Sequence, residues 1–94
     1  MGKPRKVPRK FTMPWGNGQV VEEVGVDTEY NEVVIQLLRY DEGGAETLRF
    51  CQYWPDGRFQ RQPMMLGAAS VPAMREALKS APAIRDMLKA IVAD

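Results

Sequence analysis

Histidine is absent from this chain, and cysteine occurs once, as Cys51. Without an imidazole, serine–histidine and cysteine–histidine nucleophile systems are unavailable to it. A single thiol makes no internal disulfide, and with no histidine beside it a zinc site of the usual Cys/His kind is excluded. Long hydrophobic runs are also missing: every apolar stretch is short and broken by charge, so no segment spans a bilayer as a helix. The chain opens on Lys and Pro rather than an apolar stretch, which argues against a secretory signal. The adjacent carboxylates Glu22–Glu23 and Asp41–Glu42 lie in strand or turn positions, where neighbours point to opposite faces and do not converge on a substrate. The expectation is a non-enzyme without cofactor or metal. It is placed in the cytoplasm, nucleoid-associated in a prokaryote or nuclear in a eukaryote.

What is present is one domain's worth of chain, 94 residues, too short for two cores. Its net charge of +1 hides a partition. Residues 1–10 carry five basic groups and no acidic one, residues 11–46 carry one basic and eight acidic, and residues 47–94 carry seven basic and four acidic. A pattern this uneven makes a local field able to steer a polyanion despite near-neutral net charge.

Residues 1–17, with three prolines and five basic residues, read as a largely flexible basic arm fastened near its end by Phe11 and Trp15. The arm is either a solubilising tail or a nonspecific phosphate binder through Lys3, Lys6, Arg9 and Lys10. Residues 18–94 read as a single β-β-β-β-α domain of α+β class. Its strands are expected near 19–26, 32–40, 46–54 and 58–65, rich in β-branched and aromatic residues. Asp-Glu-Gly-Gly and Pro-Asp-Gly between them are hairpin connections, so the sheet should be an antiparallel meander. After Gly67 the period changes to that of a helix over 71–80, with Ser70 as N-cap. Pro82 either breaks that helix or opens a second one capped by Ser80. The apolar stripes Met74, Ala77, Leu78, Ala81 and Ile84, Met87, Leu88, Ile91 hold methionines that are core filler on the plain reading.

Alternation on the strand at 32–40 leaves neither face polar enough to be simply solvent-facing, so the sheet is covered on one side and meets something on the other. The stretch Arg49–Pro63 then interleaves aromatics with Arg49, Arg58 and Arg61, as a single-strand binder's basic track and stacking platforms require. Each feature has a plainer reading. Tyr40 and Trp54 are equally suited to be the last core residues of their strands. Arg58 and Arg61, three apart on a strand, point to opposite faces unless a bulge intervenes.

The order of elements, with Tyr53-Trp54, a turn containing Asp56-Gly57, a basic proline-bearing strand, Gly67 and then a helix, resembles the transcriptional positive cofactor family. The resemblance covers about residues 33–80. It implies a homodimer whose helices pack across the subunit boundary and whose curved sheets face single-stranded DNA, with Tyr40 and Trp54 presented to bases. The chain departs from the family where Leu66 precedes Gly67 in place of a lysine and where Cys51 stands in place of an arginine. Arg49, Arg58 and Arg61 are the candidates to compensate.

Two functions follow as expectations. The first is sequence-nonspecific binding of single-stranded DNA or RNA by a homodimer, in the manner of a transcriptional coactivator, with the transcription machinery as a further partner. The second is a protein–protein or homodimerisation module that binds no nucleic acid, since the acidic residues of 11–46 would repel a polyanion lying beside the sheet.

Overall fold

The structure, a computed structural model, describes residues 5–44, 46–61 and 63–94. Its elements are β1 (Arg9–Met13), β2 (Gly16–Asp27), β3 (Glu32–Tyr40), β4 (Thr47–Tyr53), β5 (Met64–Gly67), a 3-10 turn (Ala68–Ser70), α1 (Val71–Leu78) and α2 (Pro82–Val92). The strands form one antiparallel sheet in chain order. The α+β class and the meander agree with expectation, but the sheet has five strands rather than four.

The extra strand comes from the segment read as an arm. Arg9–Met13 pairs with Gly16–Val20 through a two-residue turn at Pro14–Trp15. Phe11 is buried there, packed with Val20 and Leu38, so it does fasten the segment. Trp15 stands 64% exposed at the turn and ties the segment through its Nε1–H, which donates to the Tyr40 hydroxyl at 3.3 Å. The last strand is also shorter than expected, since residues 58–61 run irregularly, with only Phe59 bridged to Tyr53, and pairing with β4 starts at Met64. Gln62 lies outside the described residues.

Turn chemistry works as the composition suggests. The Gly57 N–H donates to the Trp54 carbonyl at 2.8 Å with φ of 92°, a conformation that favours glycine. The helix caps differ. Ser70 adopts helical angles within the 3-10 turn and makes no side-chain cap, and Ser80 donates from Oγ to the Ala77 carbonyl at the end of α1. Pro82 opens α2, as one of the two readings has it.

A bulge organises the sheet. The β2–β3 register slips between Val20 and Glu22, leaving Val21 as the extra residue. Side chains alternate strictly along a strand, so one added residue exchanges faces for all that follow. Val20 shares a face with Phe11 and Leu38, yet beyond the bulge that same face receives Glu23, opposite Gln36. Val24 and Val26 are sent to the other side, level with Ile35 and Val33.

The two faces therefore differ in an unusual sense. The covered face holds Glu23, Glu32, Gln36, Arg49 and Tyr53 beside a small apolar cluster. The opposite face is aliphatic and largely open, with Val24 68% exposed and Val33 and Met64 also exposed beside Ile35, Leu37, Leu48 and Phe50. Neither helix contains a buried residue, and Met74, Ile84, Met87 and Ile91 face solvent. The stripes whose methionines read as core filler thus fill no core within one chain.

Gly18 fixes how closely β1, β2 and β3 approach. A Cβ there would lie 2.2 Å from the Arg39 carbonyl oxygen and 2.8 Å from the Tyr40 Cα, both backbone atoms that cannot move aside. Gly18→Ala is expected to cost about 1–3 kcal/mol by overpacking. Gly16→Ala, whose Cβ would meet only the Tyr40 ring at 3.4 Å, is expected to cost less. Urea denaturation of the two variants checks this, and equal losses would refute the account.

Candidate functional site

Gln36, 1% exposed, sits at the centre of the covered face and is saturated by its neighbours. Its Nε2 donates to Glu23 Oε2 at 2.5 Å and to the Tyr53 hydroxyl at 3.1 Å, while its Oε1 accepts from Arg49 Nε at 2.6 Å. Glu23 also accepts two hydrogen bonds from Arg9, at 3.1 and 2.8 Å. Arg5 pairs with Glu32 at 2.5 Å, approaches Glu23 at 3.7 Å, and lies 3.6 Å over the centre of the Tyr53 ring. No buried side-chain nitrogen or oxygen among the described residues lacks a partner.

Burial works to raise the Glu23 carboxyl, but the hydrogen bonds from Arg9 and Gln36 and the charges of Arg9 and Arg5 outweigh it, holding it below its ordinary value. Burial lowers the Arg5 guanidinium, yet the Glu32 bond and charge prevail and raise it. Arg9 is raised chiefly by its bond to Glu23. Burial pushes the Cys51 thiol up, which suits an inert core position rather than a nucleophile.

Arg49 is different in kind. It is 5% exposed and its hydrogen-bond partners are neutral: Gln36 Oε1, and Met13 Sδ at 3.7 Å. Its guanidinium carbon lies 4.9 Å from the Phe59 ring centre and 5.6 Å from that of Phe11. Above it opens a basin of about 250 Å³, lined by Arg9, Phe11, Met13, Tyr53 and Phe59 among others. Arg49 thus lines an open basin while its own hydrogen-bond partners among the described residues are neutral.

The expected site residues do not assemble as one surface. Tyr40 lies on the covered face at the end of β3, packed edge-on to Phe11 at 5.4 Å and accepting from Trp15 Nε1 at 3.3 Å. Trp54 follows β4 beyond the opposite end of β3, roughly 25 Å away along the strand. It is 45% exposed and shares a cleft with Asp27, Glu29, Glu32 and Asp56. Arg58 is engaged by Asp56 at 2.7 Å, while Arg61, Lys6 and Lys10 are exposed. Arg9 is spent on Glu23, and Lys3 lies outside the described residues. Of the set, Arg9 and Lys10 join Arg49 at the basin. Sequence reasoning missed Phe59, Glu23 and Gln36. Only the aromatic two residues past a Pro-Asp-Gly turn hinted at the first, the bulge concealed the face of Glu23, and alternation placed Gln36 with Val34 and Leu38 without showing that it is buried.

Comparison of the chain with protein-family models, curated proteins and solved structures found no match.

The depressed Glu23 carboxyl fixes the sign of a pH effect. Its contribution to stability is complete above the ordinary glutamate value of 4.5 and is lost as pH falls through the lower folded-state value. Thermal unfolding at pH 7, 5 and 3 should show a loss concentrated below pH 5. Glu23→Gln should start lower at pH 7 and lose less on acidification. A parallel fall in both proteins would dissociate Glu23 from the effect.

Proposed function

We propose that this chain binds single-stranded nucleic acid without sequence preference, and does so as a homodimer. The observation that carries the binding reading is Arg49, a buried cation with neutral partners, walled by Phe11 and Phe59 and open to the basin. A phosphate oxygen supplies the charge Arg49 lacks, and Phe59, 37% exposed, offers a ring on which a base stacks. Lys6 and Lys10, exposed on the adjoining segment, add salt-dependent attraction. The role first expected of Trp54 passes to Phe59, because carboxylates surround the indole. The resemblance to the transcriptional positive cofactor family agrees with this reading and suggests a coactivator-like setting.

The open aliphatic face and the bare helix stripes support the dimer. The chain exposes 7379 Å², whereas a compact monomer of its mass exposes about 5,500 Å². The excess exceeds the roughly 800 Å² per partner of a standard interface and suits an obligate one. A second copy that covers this face leaves the Arg49 basin on the other side open to nucleic acid. Sedimentation equilibrium should return twice the chain mass of 10.6 kDa. Val33→Glu, on the exposed face, should shift the protein to monomer, and a wild-type monomer would refute the proposal.

A second reading, a protein–protein module that binds no nucleic acid, draws on the pairing of Arg5, Arg9, Arg39 and Arg58 with carboxylates of the same chain. Fluorescence anisotropy with labelled oligothymidylate and duplex DNA, at low and physiological salt, decides between the two. Phe59→Ala should weaken single-strand binding by about 1–3 kcal/mol with an unchanged salt slope. Lys10→Ala should reduce the slope by about one. Absence of binding at low salt would leave the second reading.

A further inference from the structure

The segment that carries Arg5 is held to the domain by side chains. Residues 5–8 belong to no strand, and the ladder between β1 and β2 starts only at Arg9. Arg5 is nevertheless the best-enclosed group of that segment. Glu32 takes its guanidinium through both oxygens, at 2.5 and 3.4 Å, Glu23 lies 3.7 Å away, and the Tyr53 ring stacks beneath it at 3.6 Å. Glu32 and Tyr53 are themselves buried. A planar fork pinned between a carboxylate and an aromatic face is arginine recognition, and a lysine ammonium cannot reproduce it.

The receptor is larger than this ligand. A cleft of about 360 Å³ runs on from Arg5 between the 27–31 turn and the 54–57 turn, walled by the half-exposed Trp54 indole, Asp27 and Glu29. Carboxylates beside an open indole repel phosphate and attract a second cation.

We propose that this cleft docks an arginine-bearing segment of a partner protein, and that Arg5 occupies its first position in the free chain as a tethered competitor. Exchange replaces like with like: one guanidinium leaves Glu32 and Tyr53 as another arrives, and no sheet hydrogen bond breaks. Trp54 then serves as a cation platform. This inference does not depend on nucleic-acid binding, which uses the Arg49 basin.

The test is anisotropy of a labelled, end-blocked Arg-Gly-Arg-Gly-Arg peptide, with its lysine counterpart, on the full-length protein freed of nucleic acid. Arg5→Ala should bind the arginine peptide at least about tenfold more tightly than wild type, because the internal competitor is gone. The lysine peptide should bind more weakly to both. The double variant Asp27→Asn, Glu29→Gln, at exposed positions, should weaken binding several-fold without changing the unfolding temperature. Lys10→Ala, at the rim of the Arg49 basin and away from the cleft, should leave peptide affinity unchanged, which separates this site from the nucleic-acid reading. Should Arg5→Ala fail to fold, recovery of its far-UV circular dichroism on adding the arginine peptide supports the proposal. A folded Arg5→Ala that binds the arginine peptide no more tightly than wild type overturns it, as does an unfolded Arg5→Ala that the peptide does not rescue, or equal affinity for the two peptides.

Discussion

The hydrogen-bonded node at Gln36 is the constraint on which the rest of the structure depends. One buried amide holds Glu23, Tyr53 and Arg49 at once, and through Glu23 it also anchors Arg9. Each of these groups would be costly to bury alone, since a buried polar atom without a partner forfeits about 1–3 kcal/mol and a charge forfeits more. Together they make a covered face that is polar yet satisfied. The bulge at Val21 decides which side chains enter it, because a regular register would set Glu22 rather than Glu23 opposite Gln36 and turn Val24 and Val26 onto the covered face.

From that arrangement follows the inverted character of the sheet. Small proteins ordinarily cover their aliphatic face and wet their polar one. Here the N-terminal segment and the stretch around Phe59 lie over the polar face through Arg5, Arg9 and Phe59, and the aliphatic face stays open. Burial of apolar surface is the main driving term in folding and association, at about 25 cal/mol per Å². An uncovered sheet face flanked by two bare amphipathic helices therefore leaves much of that apolar surface unburied within the single chain. The radius of gyration says the same: 14.4 Å, against about 12 Å for a compact domain of this length.

The charge partition along the chain acquires a local meaning in this light. The basic opening segment and the acidic middle segment meet, and Arg5 and Arg9 are spent on Glu32 and Glu23. A basic run judged from sequence as available to phosphate is thereby divided into groups used inside the fold and groups left outside it. Arg49 shows the converse, a buried arginine whose charge no carboxylate among the described residues matches within bonding distance. Pairing, more than the count of basic residues, governs what each side of the sheet attracts.

Composition and local chemistry by themselves determined the α+β class, the meander, the turns at Gly43–Gly44 and Gly57, and the break at Pro82, because these depend on backbone freedom within a few residues. The surplus of apolar residues on β3 was also legible, and Val33 stands exposed on the face away from Gln36. Tertiary structure decided the rest. Arg9–Met13 is a strand only because Gly18 admits β1 against β2 and β3 and because Phe11 finds Val20 and Leu38 there. The faces of β2 hinge on one bulge that alternation cannot reveal, and hydrogen-bond partners of the arginines come from residues up to 44 positions away. Tyr40 and Trp54 looked equivalent as strand-terminal aromatics, yet they stand at opposite ends of the sheet. Which charges meet is a property of register and burial, and those are set only once the strands have paired.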